Sequence, residues 1–334
     1  MRKGGNMERI KNKKKEYRVV SLFSGIGGLD LGFENAGFKV IWANDFDKYA
    51  VKTYQENVNR NIVEGDIRIE KANIPDHEVL IGGFPCQPFS TLGKLKGFDD
   101  KERGTLFFEI KSILKEYDTK VVVLENVKNI VNHDNGKTYE RIMHELHSIG
   151  YDCHPAILNT ADFGIPQRRN RLFIVGFLRN DFEEEGVFEY PKPRELKITT
   201  QDLLDKDVDP KYFLSNRILP TILGKGTKGY IVKPTIDMPI SKTLTATMHK
   251  MHRASQDNYF TDDINRAKFV DDSKSNIRKL TPNECRKLQG FPSDWKQVVS
   301  DCQAYKQFGN AVTVDVAYEV ANKVKEYIDK YRRW

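Results

Sequence analysis

Apolar runs and polar interruptions alternate along the first half of the chain, predicting strands and helices in turn. Residues 18–23 (Arg-Val-Val-Ser-Leu-Phe) form a run suited to a buried strand. Leu29, Phe33 and Ala36 follow at helical spacing until Gly37 stops the helix. A second run at 38–43 ends in Asn44-Asp45-Phe46-Asp47, and Glu64-Gly65-Asp66-Ile67 marks a third strand end. Beyond the run closing at Ile81, the pattern predicts a helix from Gly104 to about Tyr117, a strand over 120–125, a helix over 138–149 and a strand over 172–178. Ile142, Leu146 and Ile149 share one face of the second helix, which Gly150 ends. Strand and helix in alternation read as an α/β fold opened by a Rossmann-like unit.

From about Arg179 the pattern changes to short apolar runs, many prolines and little helical period. Thr281-Pro282-Asn283-Glu284 then signals a helix start, and past Val312 an amphipathic helix should run to about Tyr331. The expected organisation is a basic tail over 1–17, a catalytic and cofactor-binding domain over 18–178, a recognition domain over 179–300, and a segment over 301–334 that returns to the first domain.

Composition narrows the class. Of 334 residues, 39% are hydrophobic and 30% charged, which describes a globular protein with a large core. The tail, with Lys11, Lys13, Lys14 and Lys15, lacks the apolar core of a signal peptide, and no later run approaches membrane-spanning length. The expectation is a cytoplasmic protein with no membrane partner, and a monomer. Cys86, Cys153, Cys285 and Cys302 are scattered, and neither they nor His249 and His252 show ligand spacing, so no metal is expected. The net charge of +7 permits a polyanionic partner. Between 220 and 260, Lys225, Lys228, Lys233, Lys242, Lys250 and Arg253 face only Asp237 and Asp257, with glycines and Tyr230, Tyr259 and Phe260 interleaved. That texture suits a loop-rich nucleic-acid surface, though a solvated face has the same charge pattern.

The candidate chemistry gathers at strand ends. Ser24-Gly25-Ile26-Gly27-Gly28 is a ligand-binding turn, but Asp30 stands where a dinucleotide fingerprint needs a small residue. A carboxylate there would repel a pyrophosphate and tolerate an adenosine-bearing cofactor with a cationic centre. Asp45 lies where a ribose-binding acid belongs. Phe46 would stack on adenine and Asp66 would accept from its amino group. Phe84-Pro85-Cys86-Gln87-Pro88-Phe89-Ser90 sets a thiol on a stiff turn, and the polar loop over 91–103 suits a lid. A thiolate attacking C6 of a pyrimidine makes C5 able to take a methyl group. Cys86 is the candidate nucleophile, Glu125 the group at N3, and Arg169 or Arg171 the cation that favours the thiolate.

These motifs, in this order, resemble the DNA (cytosine-5) methyltransferase family, especially its bacterial HhaI-like restriction-modification members. The resemblance is carried by residues 22–33, Asn44 to Asp47, Gly65-Asp66-Ile67, FPCQPFS at 84–90, KGFDDKERGTLFFEI at 96–110 and LENVKN at 124–129. QRRNR at 167–171, RKLTPNECRKLQGFP at 278–292 and YKQFGNAV at 305–312 continue it. It implies an S-adenosylmethionine-dependent fold with a mixed, mostly parallel sheet and a smaller target-recognition domain. It also implies methylation of a cytosine flipped out of a short double-stranded DNA sequence, beside a cognate restriction endonuclease that forms no stable complex. By resemblance Cys86, Glu125, Arg169 and Arg171 are catalytic. Phe23, Gly25, Gly27, Asp45, Phe46, Asp66, Ile67, Pro85, Leu106, Asn310 and Val312 match the cofactor pocket. Ser90, Lys225, Thr227, Lys228, Tyr230, Thr243 and Leu244 fall where DNA is contacted. GKGTKGY at 224–230 departs from the HhaI-like recognition loop at Thr227, Lys228 and Tyr230, so the target sequence is not carried over. An RNA (tRNA) cytosine-5 methyltransferase branch shares the same motifs.

Overall fold

The computed structural model describes residues 16–85, 106–184, 186–224, 235–250 and 252–334. A seven-stranded sheet runs in the order β3-β2-β1-β4-β5-β8-β6. Its strands are β1 (Arg18–Leu22), β2 (Lys39–Asp45), β3 (Ile62–Glu64), β4 (Val79–Gly83), β5 (Val121–Val127), β6 (Tyr151–Asn159) and β8 (Asn170–Leu178). The first five in spatial order are parallel, while β8 pairs antiparallel with both β5 and β6. The fold is therefore α/β with a mixed, mostly parallel sheet.

Strands covered on both faces read as continuous apolar runs, and period two sends alternate residues to opposite faces. Val19, Ile81, Val121 and Val123 face one layer, with Leu29 and Phe33 of helix α1 (Gly28–Asn35). Val20, Leu22, Leu80, Val122 and Leu124 face the other, under helices α4 (Leu106–Glu116) and α5 (Lys137–Ser148). Helices α2 (Lys48–Asn57) and α3 (Ile67–Glu70) follow β2 and β3. Strand β6 was not anticipated. It is an edge strand with an alternating burial pattern and a proline at 155, so its apolar signal is half that of β5.

The segment after 178 is differently built. A short β7 (Gln167–Arg168) pairs in parallel with β10 (Ser241–Lys242). A small antiparallel sheet runs in the order β11 (Tyr259–Thr261), β12 (Lys274–Lys279), β9 (Phe213–Ser215). Short helices α6 (Leu219–Leu223) and α7 (Asp263–Arg266) lie in this region. Helix α8 (Pro282–Leu288) opens with the expected capping box, Thr281 and Glu284 each satisfying the other's backbone N–H. Helix α9 (Asp301–Asn310) leads into α10 (Val314–Tyr331), whose Val316, Ala317, Val320 and Val324 bury against the same core layer as α1. Gly32 permits that approach, since a Cβ there would collide with Ala317. Among the described residues no helix is long and apolar enough to cross a membrane.

Candidate active site

Three strand ends build the first half of the site. β1 is followed at once by Phe23, whose φ of 55° lies in the left-handed region, and Gly25 and Gly27 follow at +57° and +85°. A Cβ on Gly25 would meet nothing within 4 Å, so the turn presents bare backbone to open space; a Cβ on Gly27 would strike Val58 and the Tyr54 ring. Asp45, at the end of β2, accepts from the Gly25 N–H (2.8 Å) and the Asp47 N–H (2.8 Å). Burial pushes its pKa up. Each oxygen keeps a lone pair for another donor. Next to it Phe46 is 78% exposed, unusual for so large an apolar ring.

Asp66 caps α3 and accepts from both the backbone and the guanidinium of Arg68 (2.7 Å), which hold its pKa down. The carboxyl expected to meet adenine is thus already engaged by arginine. Ile67 and Val312 are buried in core layers, whereas Asn310 is exposed at the end of α9. Gly28 passes so close to the Val312 carbonyl that a Cβ would collide with it. Leu106 opens α4, and Pro85 lies exposed two residues past β4.

Asp30 calls for a correction. Its carboxyl is not presented to a ligand at the glycine turn; it is fully buried, accepting from Ser21 Oγ (2.7 Å) and Tyr54 Oη (2.7 Å). Desolvation raises its pKa to about 7 against those hydrogen bonds. The side chain turns into the protein, so the sequence argument from charge repulsion does not hold.

The second half of the site lies on β4, β5 and β8. Gly83 is paired with Glu125 in the parallel register, and Glu125 Oε2 stands 3.3 Å from where a Gly83 Cβ would be. Asn126 donates to the Phe84 carbonyl (2.8 Å), tying the turn that leads to Cys86 onto β5. Glu125 is 7% exposed and forms an ion pair with Arg171 Nε (3.0 Å). Burial raises its pKa, with Arg171 and then Arg169 opposing. The result is a carboxyl group biased toward its protonated form beside a fixed cation.

The two arginines have different partners. Arg171 reaches Glu125, but Arg169 is 1% exposed and donates to the carbonyls of Leu244 (2.8 Å), Gly309 (3.1 Å) and Ala311 (2.6 Å). Gln167 completes the junction, accepting from the Leu244 N–H (3.0 Å) and donating to the Leu288 carbonyl (2.7 Å). Gln289 accepts from Thr313 Oγ1 (2.8 Å) and donates to the Phe308 carbonyl. Thr243 donates to the Arg168 carbonyl (2.7 Å). One buried polar web therefore joins the Arg171 strand, the Thr243–Leu244 pair and the turn holding Asn310 and Val312.

Cys86, Ser90, Lys225, Thr227, Lys228 and Tyr230 lie outside the described residues. Asn126, Gln167 and Gln289 were missed as site-building residues. Their signal was present, because each is a polar residue inside or beside an otherwise apolar stretch and within a quoted motif, but their partners are distant in sequence.

The chain matches the C-5 cytosine-specific DNA methylase family over residues 17–326. It is 38% identical to the Type II methyltransferase M1.ScrFI of Lactococcus lactis subsp. cremoris, over 96% of this chain and 81% of that protein. It is 40% identical to M.SsoII of Shigella sonnei (95% and 82%) and 37% identical to M.HhaI of Haemophilus parahaemolyticus (95% and 97%). The solved S. pombe Dnmt2 methyltransferase shares the fold with a TM-score of 0.71 at 21% identity, covering 93% of this chain and 99% of that one. Family match and relatives agree along nearly the whole chain, which belongs to the C-5 cytosine-specific DNA methylase family and is a DNA cytosine-5 methyltransferase.

Proposed function

We propose that this enzyme methylates C5 of a cytosine turned out of a specific short double-stranded DNA sequence, using S-adenosylmethionine and a transient bond between Cys86 and C6. The observation that carries this reading is the buried Glu125–Arg171 pair, set beside the strand that leads into Phe84-Pro85-Cys86. The Type II relatives support a restriction-modification role; protection of host DNA from a cognate endonuclease that forms no stable complex with the enzyme is part of the same proposal.

The residues at the first three strand ends suit the cofactor. Open space over Gly25, a carboxylate with free lone pairs at Asp45 and an exposed ring at Phe46 fit a glycine-flanked amino-acid moiety, a ribose and an adenine respectively. Phe23, Gly27, Asp66, Ile67, Pro85, Leu106, Asn310 and Val312 would complete the walls, the last through its backbone. When bound, S-adenosylmethionine supplies a methyl group on a sulfonium.

The protein's own part is to make C5 nucleophilic. A free thiol with pKa ~8.5 is roughly 3% ionised at pH 7, so forming the thiolate costs about 2 kcal/mol unless a cation assists. Cys86 sulfur bonds to C6, and the electron pair displaced from the C5–C6 double bond moves toward N3, where the Glu125 proton meets it. Arg171 fixes the Glu125 carboxyl. After C5 has gained its substituent its proton passes to water acting as base, the C5–C6 double bond re-forms, the thiolate leaves, and N3 returns its proton to Glu125. Extrusion of the base costs a few kcal/mol, offset by contacts from the recognition segment.

Duplex DNA with 5-fluorocytosine at the target tests this directly, because fluorine blocks the final proton loss and should leave the protein covalently attached. Cys86→Ala should form no adduct, and Glu125→Gln should lower kcat by about 10²–10⁴. A parent enzyme that methylates ordinary duplex yet never forms the adduct would sink the covalent step. Bisulfite sequencing, with tRNA assayed in parallel, reports substrate and sequence context together.

A further inference from the structure

One charged feature of the recognition segment has no part in methyl transfer as described. Lys211, Lys274, Lys279 and His252 line a cleft of about 320 Å³ together with Tyr212 and Ser215. Lys279 and His252 also wall a small neighbouring cavity of about 20 Å³ bounded by Thr243 to Thr245, so the cleft adjoins the Thr243–Leu244 pair.

Its charges are poorly balanced. Lys211 pairs with Asp301 (2.9 Å), but that carboxylate also accepts from Tyr212 Oη (2.8 Å). Lys274 donates to the Phe213 carbonyl (3.0 Å). Lys279 lies over the rings of Tyr305 (4.8 Å) and Tyr212 (5.9 Å), with no carboxylate at ion-pair distance among the described residues. Burial lowers the pKa of Lys279, with Asp301 opposing, and that of His252, which Lys279 and Lys274 lower further. Asp257, the acid facing His252, is engaged by Arg253 (3.0 Å). Folding has brought four basic groups together without an unengaged acid, an arrangement relieved by an anion from outside.

We propose that this cleft is a phosphate subsite that seats a DNA backbone phosphodiester outside the extruded nucleotide, next to the segment carrying Thr243 and Leu244. The inference rests on the DNA-methylating reading above. A compact ammonium flanked by tyrosine rings holds a phosphate as a point charge and reads no base, so the contact fixes the protein's register on the duplex independently of sequence.

The test measures duplex affinity over a range of salt concentrations for the parent, Lys274→Gln, Lys279→Gln, the double variant and Lys279→Arg. Target and unrelated duplexes are compared, with S-adenosylmethionine affinity as the check on folding. The double variant should bind both duplexes roughly tenfold more weakly, and the slope of log K against log salt should become less steep by about 1–2. Lys279→Arg should keep most of the parent slope. Inorganic phosphate should raise the His252 pKa, read by NMR, in the parent and not in Lys279→Gln. An unchanged slope, or a loss confined to the target duplex, overturns the subsite even while the parent still methylates DNA. Phosphate binding without a change in DNA slope marks an adventitious ion only and overturns it equally. A parent that binds no duplex overturns the underlying reading as well.

Discussion

Two regions of this protein bury carboxyl groups in opposite ways. Beneath the glycine turn, Asp30 is surrounded by the hydroxyls of Ser21 and Tyr54, and burial pushes its pKa up to about 7. In the recognition segment, Asp262 and Glu284 both meet the fully buried guanidinium of Arg278, at 2.6 and 2.8 Å. Burial also acts to raise the Asp262 pKa, but hydrogen bonds from Asn265 and then Arg278 outweigh it and hold the group low. The first arrangement tolerates a neutral acid within an apolar sheet layer. The second keeps its charges, because removing the guanidinium from water is offset only while both carboxylates stay ionised beside it.

That contrast can be broken most sharply at Arg278. Replacing it by Ala leaves two carboxylates without their cation and should lower stability by about 3–5 kcal/mol, read by urea denaturation. A change under 1 kcal/mol would mean the recognition segment does not depend on that ion pair.

Asp30→Asn tests the other arrangement. The folded pKa is raised, so the stabilising contribution is complete below the unfolded value near 3.8 and is lost as pH rises through about 7. Parent stability relative to Asp30→Asn should fall by up to about 4 kcal/mol across that window. Asp262 has the opposite sign: its folded pKa is lowered, so its contribution is present above the unfolded pKa and is lost as pH falls through the folded one. Hydrogen exchange should therefore show acid loosening the recognition segment first. Parallel pH curves for parent and Asp30→Asn would contradict the assignment.

Smaller effects belong to packing and to the surface. Gly32→Val should part α1 from α10 and cost about 1–3 kcal/mol, seen as a lowered Tm. Breaking the exposed Lys296–Glu56 pair should leave Tm unchanged within error, and a clear loss would show that surface charges matter more here than their solvation suggests.

The difference between the regions also explains what the sequence revealed. β1 and β5 were legible because strands buried on both faces are apolar throughout, and Gly37 and Gly150 punctuate the helices where expected. Glu125 was legible as a lone acid ending such a run. The small sheet was not, since β12 reads Lys-Ser-Asn-Ile-Arg-Lys, with neither an apolar run nor a clean alternation, and its partner β9 lies about 60 residues earlier. The polar web of Gln167, Arg169 and Gln289 was hidden for the same reason: backbone carbonyls of Leu244, Gly309 and Ala311 receive Arg169, and carbonyls have no signature in a sequence. Asp30 was read with the wrong orientation because a helix's first turn can send a carboxyl outward or inward, and Tyr54 decides which.

The packing of α10 on α1 has a consequence for biosynthesis. A ribosome makes residues 28–35 early and residues 314–331 some 280 positions later, yet each covers apolar surface on the other. The face of the first helix that α10 covers has no such partner until residues 314–331 are synthesised. The core layer beneath the glycine turn is therefore completed only once residues 314–331 have been made.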